Sequence, residues 1–231
     1  MTADPAPDLP AGLPIITVDG GAATGKSSTS RGVANALGFL HVDTGAHYRG
    51  VTLALTRLGI DTTDTAAVQA ALADLPLGTE VVDGSARLAI AGEVPGPAEL
   101  RAPAVNATVS TVAAIPAVRQ FLFEYQRGQA QVARDHGFAG LIMEGRDIGS
   151  VIFPDAPFRF FLEADPETRA ARRIRDGETD AVDKRDTQDR TRKVAPLTCP
   201  DGATVINTGE YDLEGVIAII VDHYRRATAG R

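Results

Sequence analysis

The residues Gly20-Gly21-Ala22-Ala23-Thr24-Gly25-Lys26-Ser27 place four residues between a glycine and a Gly-Lys-Ser triplet, the Walker A spacing. Backbone N–H groups of such a loop converge on one concavity, and the helix that follows adds its partial positive N-terminus, so phosphates are held without side-chain charge. Lys26 supplies a mobile cation for β- and γ-phosphates, and the Ser27 hydroxyl suits a Mg²⁺ ion. Gly20 through Ser27, with the adjoining Ser28, are therefore the candidate cofactor-binding residues. The motif alone indicates binding of a nucleoside triphosphate and leaves the reaction open.

Two further clusters carry charge: Asp43-Thr44-Gly45-Ala46-His47-Tyr48-Arg49 and Glu144-Gly145-Arg146-Asp147-Ile148-Gly149. Each alone reads first as a loop ion pair. Charges at the carboxyl ends of parallel strands face the crevice where ligands bind in α/β sheets, so both clusters can converge on the glycine loop. With Arg49, Arg119, Arg146, Arg185 and Arg192 spread over unrelated segments, a second phosphate site beside the first is the better account.

These groups need a scaffold. Leu13 to Val18 is a β-branched apolar run ending at Asp19-Gly20-Gly21, and Lys26 to Leu37 is helical and closed by Gly38, which makes strand, loop, helix. Short apolar strands are expected at Leu40 to Asp43, Gly140 to Glu144, Phe158 to Leu162 and Thr204 to Ile206. Helices are expected over Ala46 to Leu58, Ile115 to Arg134 and Leu213 to Tyr224. Thr79 to Ile90 alternates around Asp83-Gly84 as a hairpin does. Arg172 to Arg192, rich in Asp, Arg and Thr, reads as a solvated loop or lid. The alternation predicts an α/β fold with a parallel sheet and covering helices.

The 231 residues carry 23 Lys+Arg against 30 Asp+Glu, a net charge of -7, which argues against nucleic acid or an anionic membrane as partner. Any anion must be caught locally, and 20 of the cations are Arg, the better bidentate partner for phosphate. A single cysteine, Cys199, forms no internal disulfide and favours a reducing cytoplasm. No apolar run approaches the roughly 20 residues of a membrane span. His41, His47, His136 and His223 have no metal-ligand spacing and read as structural or surface residues. Met1 to Gly12 reads as a flexible leader.

Taken together, Ile15 to Ser28, Asp43 to Arg49, Glu144 to Pro157 and Asp189-Arg190-Thr191-Arg192-Lys193-Val194-Ala195-Pro196-Leu197 resemble the bacterial cytidylate kinase family. The resemblance implies a P-loop nucleoside monophosphate kinase fold: a five-stranded parallel sheet with flanking helices, a β-containing acceptor insert at 76–103 and a short lid at 172–192. The core would then comprise 13–75, 104–171 and 193–231. It implies transfer of the γ-phosphoryl group of Mg-ATP to CMP or dCMP by a cytoplasmic monomer. Lys26, Arg146 and Arg192 would be catalytic. Thr44, Arg49, Ser110, Arg119, Asp147, Arg185, Asp189 and Arg192 would bind substrate, with Arg49 on the CMP phosphate and Ser110, Arg119 and Asp147 on the base. The chain departs from the family pattern at Thr24, Thr44 and Gln188, and its lid is shorter. A kinase for UMP or another small acceptor, and a nucleotide switch or ATPase with no acceptor, remain as alternative readings.

Overall fold

The structure is a computed structural model that describes residues 12–175, 191 and 196–229. The first strand, β1 (Ile15–Gly20), is buried at all six positions. It lies between two parallel neighbours, β5 (Gly140–Gly145) and β6 (Phe158–Glu163). β2 (Phe39–Asp43) continues the sheet beyond β5, and β7 (Thr204–Asn207) continues it beyond β6, both parallel. This five-stranded array is the one expected.

The whole sheet is larger than expected, with seven strands in the order β3-β4-β2-β5-β1-β6-β7. The hairpin of β3 (Leu77–Val82) and β4 (Ser85–Ile90), expected as a small β insertion, is joined to the main sheet. Its second strand pairs in parallel with β2 through His41 opposite Ser85 and Val42 opposite Ala86. Turn chemistry identifies a hairpin from sequence, but two residue pairs of edge contact have no local signature.

Side-chain alternation in β1 explains why both faces need cover. Ile16 and Val18 join Ile142, Phe160 and Leu162 in a core roofed by α1 (Lys26–Leu37) and α8 (Leu213–Thr228), which contribute Val33, Ala34, Val216 and Ile220. On the opposite face Ile15, Leu40, Val42, Leu141 and Met143 pack under Ala130 and Ala133 of α6 (Pro116–Asp135) and under Phe153. A third cluster unites α2 (Thr44–Arg57), α3 (Thr65–Ala73), α5 (Pro103–Ala113) and α6 through Val51, Leu55, Val68, Leu72, Val112 and Leu122. A single turn, α4 (Pro97–Leu100), precedes α5.

Several boundaries differ from expectation by a few residues, and two of the differences bear on the site. Helix α2 begins at Thr44 rather than Ala46, because the Asp43 carboxylate caps the Ala46 N–H. Helix α7 (Pro166–Arg175) runs into the segment expected to be a solvated loop, so Arg172 and Arg173 are helical. The remainder of the lid, 176–190, and 192–195 lie outside the described residues. Among the described residues no helix is long and apolar enough to cross a membrane.

Candidate active site

The parallel registers align the strand ends. Asp43 stands opposite Glu144, Asp19 opposite Gly145, and Gly20 opposite Leu162, so β1, β2, β5 and β6 all terminate at one edge. The glycine loop leaves β1 at that edge. At Gly20, with φ of 151°, a Cβ would stand 2.2 Å from the Leu162 carbonyl oxygen, so the chain can turn here only without a side chain. Gly25, at φ 89°, opens α1 from the left-handed region.

Loop carbonyls are held from outside. Arg169 donates to Ala22 O at 3.5 Å, Arg172 to Ala23 O at 3.4 Å, and the Thr208 hydroxyl to Thr24 O at 3.0 Å. Arg172 also donates to the Thr208 hydroxyl at 2.9 Å and its carbonyl at 2.8 Å, which makes a brace of α7 and the turn after β7. Fixing carbonyls on one side of a peptide chain turns its N–H groups to the other, as an anion-binding loop requires. Sequence reasoning missed these residues. The available signal was the arginine stripe at 169, 172 and 173, spaced to share one face of a helix.

Lys26 is 7% exposed, and its Nζ donates to Gly21 O at 2.6 Å across the loop. Ser27 and Ser28 sit exposed on the first turn of α1. The Ser27 hydroxyl donates to Glu144 Oε2 at 2.9 Å. Arg146 reaches the same loop from β5, donating to Gly20 O at 3.0 Å.

Asp19 is held by backbone donors. Its two oxygens accept the Ile148 and Gly149 N–H groups at 2.8 and 2.7 Å, tying the end of β1 to the π-helical turn Ile148–Ile152. Burial raises its pKa from 3.8 to about 6, against the lowering effect of those two hydrogen bonds. That turn projects Asp147 into a buried ion pair with Arg119 of α6, from 28 residues away in sequence. Arg119 also donates to Ala113 O at 3.2 Å and lies 5.5 Å over the Tyr48 ring, so Tyr48 contributes a cation–π face as well as packing. Arg49, one residue further along α2, donates to Leu100 O at 3.0 Å and Asn106 Oδ1 at 2.6 Å. Asn106 is a contact that sequence reasoning did not single out.

Thr44 is 3% exposed, and its hydroxyl donates to the Glu144 carbonyl at 2.8 Å, which anchors α2 to β5. Ser110 is half-buried on α5. Arg185, Asp189 and Arg192 lie outside the described residues. The histidines are largely as expected: His47 is buried against Tyr125, burial lowers its pKa to about 4, and it stays neutral. His41 is buried, with Nε2 2.9 Å from Glu144 Oε1. Cys199 is exposed, and its thiol pKa is raised first by partial burial and then by neighbouring carboxylates, which leaves it a poor nucleophile.

A cleft of about 250 Å³ adjoins the glycine loop, lined by Gly21, Thr24, Glu163, Asp165, Arg169 and Asn207. No cluster of three or more His, Cys, Asp or Glu residues could hold a metal by itself among the described residues. A braced Walker loop at the carboxyl edge of a parallel sheet, with a second cationic group beside it, defines a P-loop kinase fold of the nucleoside monophosphate class. The sequence model of cytidylate kinase matches residues 16–226, and the chain belongs to that family. The cytidylate kinase of Mycobacterium leprae strain Br4923 is 40% identical over 219 residues, covering 90% of this chain and 94% of its own. Those of Streptomyces avermitilis and Corynebacterium glutamicum are 41% and 40% identical, covering 90% and 96% of this chain and 90% and 99% of theirs.

Proposed function

We propose that the protein transfers the γ-phosphoryl group of ATP to CMP or dCMP, yielding ADP and CDP or dCDP. The observation that carries this reading is the buried Arg119–Asp147 pair beside the Arg146-braced glycine loop. Cytosine offers an N4 amino donor next to the N3 and O2 acceptors. A carboxylate set against a guanidinium matches that edge, with Asp147 accepting from N4 and Arg119 donating to N3 or O2. Uracil presents O4 to Asp147 instead. One unpaired buried acceptor costs roughly 1–3 kcal/mol, enough for about tenfold discrimination or more.

The reaction needs position and charge neutralisation rather than a side-chain nucleophile. A CMP phosphate oxygen attacks the γ-phosphorus in line, the bond to the β,γ-bridging oxygen breaks, and ADP departs with that electron pair. The glycine loop and Lys26 hold the donor phosphates, Arg146 faces the transferred group, and Arg49 grips the acceptor phosphate. The cleft lined by Asp165 and Arg169 takes the donor nucleoside. Mg²⁺ fits this site, because it favours phosphates and water over a protein cage and the Ser27 hydroxyl sits beside a carboxylate. When bound it neutralises the β- and γ-phosphate oxygens. In the same reading 76–103 forms the acceptor insert, extending to Ser110 and Arg119, and the lid expected at 172–192, whose first four residues belong to helix α7, carries Arg185, Asp189 and Arg192. The lone cysteine supports a reducing cytoplasm, and the family resemblance supports a monomer.

A panel of nucleoside monophosphates with Mg-ATP tests the assignment through ADP formation. CMP and dCMP are expected to be the fastest acceptors. ADP release at the same rate with no acceptor would point to an ATPase, and UMP as the best acceptor would overturn the reading of the base.

A further inference from the structure

Four side chains from four elements form one hydrogen-bonded line. The Ser27 hydroxyl of α1 donates to Glu144 Oε2 at 2.9 Å, Glu144 Oε1 of β5 lies 2.9 Å from His41 Nε2, and His41 Nδ1 of β2 lies 3.2 Å from the Ser85 hydroxyl of β4. His41 and Glu144 are both 2% exposed. An ionised carboxylate can only accept, so the hydrogens of this line sit on Ser27 Oγ and His41 Nε2. With the neutral ring, Nδ1 is an acceptor and Ser85 supplies its hydrogen, which selects the Nε2–H tautomer.

A serine that gives its hydrogen to a carboxylate keeps its lone pairs for something else. Ser27 is exposed on the first turn of α1, directly after Lys26 of the glycine loop, so those lone pairs are open to a cation bound with phosphates there. Its aim depends on the rotamer of Glu144, and a carboxylate with a single side-chain partner can swing. The imidazole removes that freedom by occupying the second oxygen, and Ser85 fixes the imidazole from behind. Outer partners of this kind orient a ligating atom and raise its basicity.

We propose that His41 is a positioning residue for phosphoryl transfer, holding the Glu144 carboxylate on the Ser27 hydroxyl so that the serine oxygen is presented to the cation bound with the donor phosphates. The proposal rests on the kinase reading given above. It also connects the two substrates physically, because Ser85 opens the second strand of the acceptor hairpin while Ser27 belongs to the donor loop.

Calorimetric titration with ADP, once with excess Mg²⁺ and once with EDTA, separates this role from simple support of the fold. His41→Leu is expected to weaken binding of Mg-ADP by about tenfold while metal-free ADP binds as in the unsubstituted protein. His41→Gln keeps a donor near the Nε2 position and is expected to restore most of the loss. Ser85→Ala lies at the hairpin, away from the core of the line, and should weaken Mg-ADP by about threefold through the loosened imidazole. Equal weakening with and without Mg²⁺, or no weakening, in the Leu variant overturns the proposal, as does a Gln variant as weak as Leu. Should the Leu variant not fold, the Ser85→Ala ratio decides, and an unchanged ratio there overturns it. These titrations contain no acceptor, so a failure of CMP-dependent turnover would count against the kinase reading alone.

Discussion

Replacing Asp147 by Asn probes the base-reading role proposed for the Arg119–Asp147 pair at nearly constant volume. Asp147 is 4% exposed and paired with Arg119, so the substitution removes a buried negative charge while leaving one oxygen that can accept. Removing one partner of a buried ion pair costs about 3–5 kcal/mol when the other charge is left alone. Arg119 keeps the Ala113 carbonyl and the Tyr48 ring, and Asn keeps an acceptor, so a stability loss of about 1–2 kcal/mol is expected. The effect on specificity is larger. A hydrogen bond to a charged acceptor contributes about 1.5–3 kcal/mol, which corresponds to roughly a 10- to 100-fold fall in kcat/KM for CMP. The Asn amide can donate to O4 of uracil, so the value for UMP should hold or rise. The assay is ADP formation at matched ATP with CMP, dCMP and UMP as acceptors, alongside a denaturant melt. A CMP to UMP ratio unchanged in the variant would refute the pairing of Asp147 with the cytosine amino group.

Lys26→Ala is expected to lower kcat by about 10²–10³-fold, because its ammonium is the cation poised across the glycine loop, and single-turnover rates at saturating ATP measure it. Arg172→Ala removes donors to Ala23 O and to both Thr208 oxygens, so KM for ATP should rise by about tenfold with KM for CMP little changed in steady-state kinetics. Asp19 gives a pH signature. Its pKa is raised by burial to about 6, so the folded state holds its proton more tightly than the unfolded state, and this stabilisation is full below pH 3.8 and lost as pH rises through about 6. Relative to Asp19→Asn, the unsubstituted protein should gain about 1.4 kcal/mol of stability between pH 7.5 and pH 5, and a difference that is flat across this range in paired denaturant melts would remove the account.

The glycine loop, the helix after it and the strand before it were legible because their signals are local. Spacing of glycines, β-branched runs and a closing Gly38 need no partner elsewhere in the chain. The hairpin was visible through Asp83-Gly84, yet its attachment to β2 was not, since the two pairs involving His41 and Val42 depend on the surrounding fold. For the same reason α7 was not expected. Arg172 and Arg173 fell in the stretch read as a solvated loop, whereas Arg172 donates to the loop carbonyl of Ala23 and Arg173 is 6% exposed.

The sequence by itself determined the glycine loop Gly20 to Ser27 and the α/β sheet that carries it, and it singled out Arg49, Arg119, Arg146 and Asp147 as candidates for one site. Each of those statements follows from residue type and spacing within a short segment or from the resemblance of ordered motifs. Only the tertiary structure decided which charges meet. Arg119 finds Asp147, Ser27 finds Glu144 and then His41, and Arg172 finds the loop carbonyls, because parallel strands bring their carboxyl ends to one edge whatever the separation along the chain. The physical reason is that an ion pair or hydrogen bond is specified by a few ångströms in space, and residues 28 to 149 positions apart carry no local record of that distance.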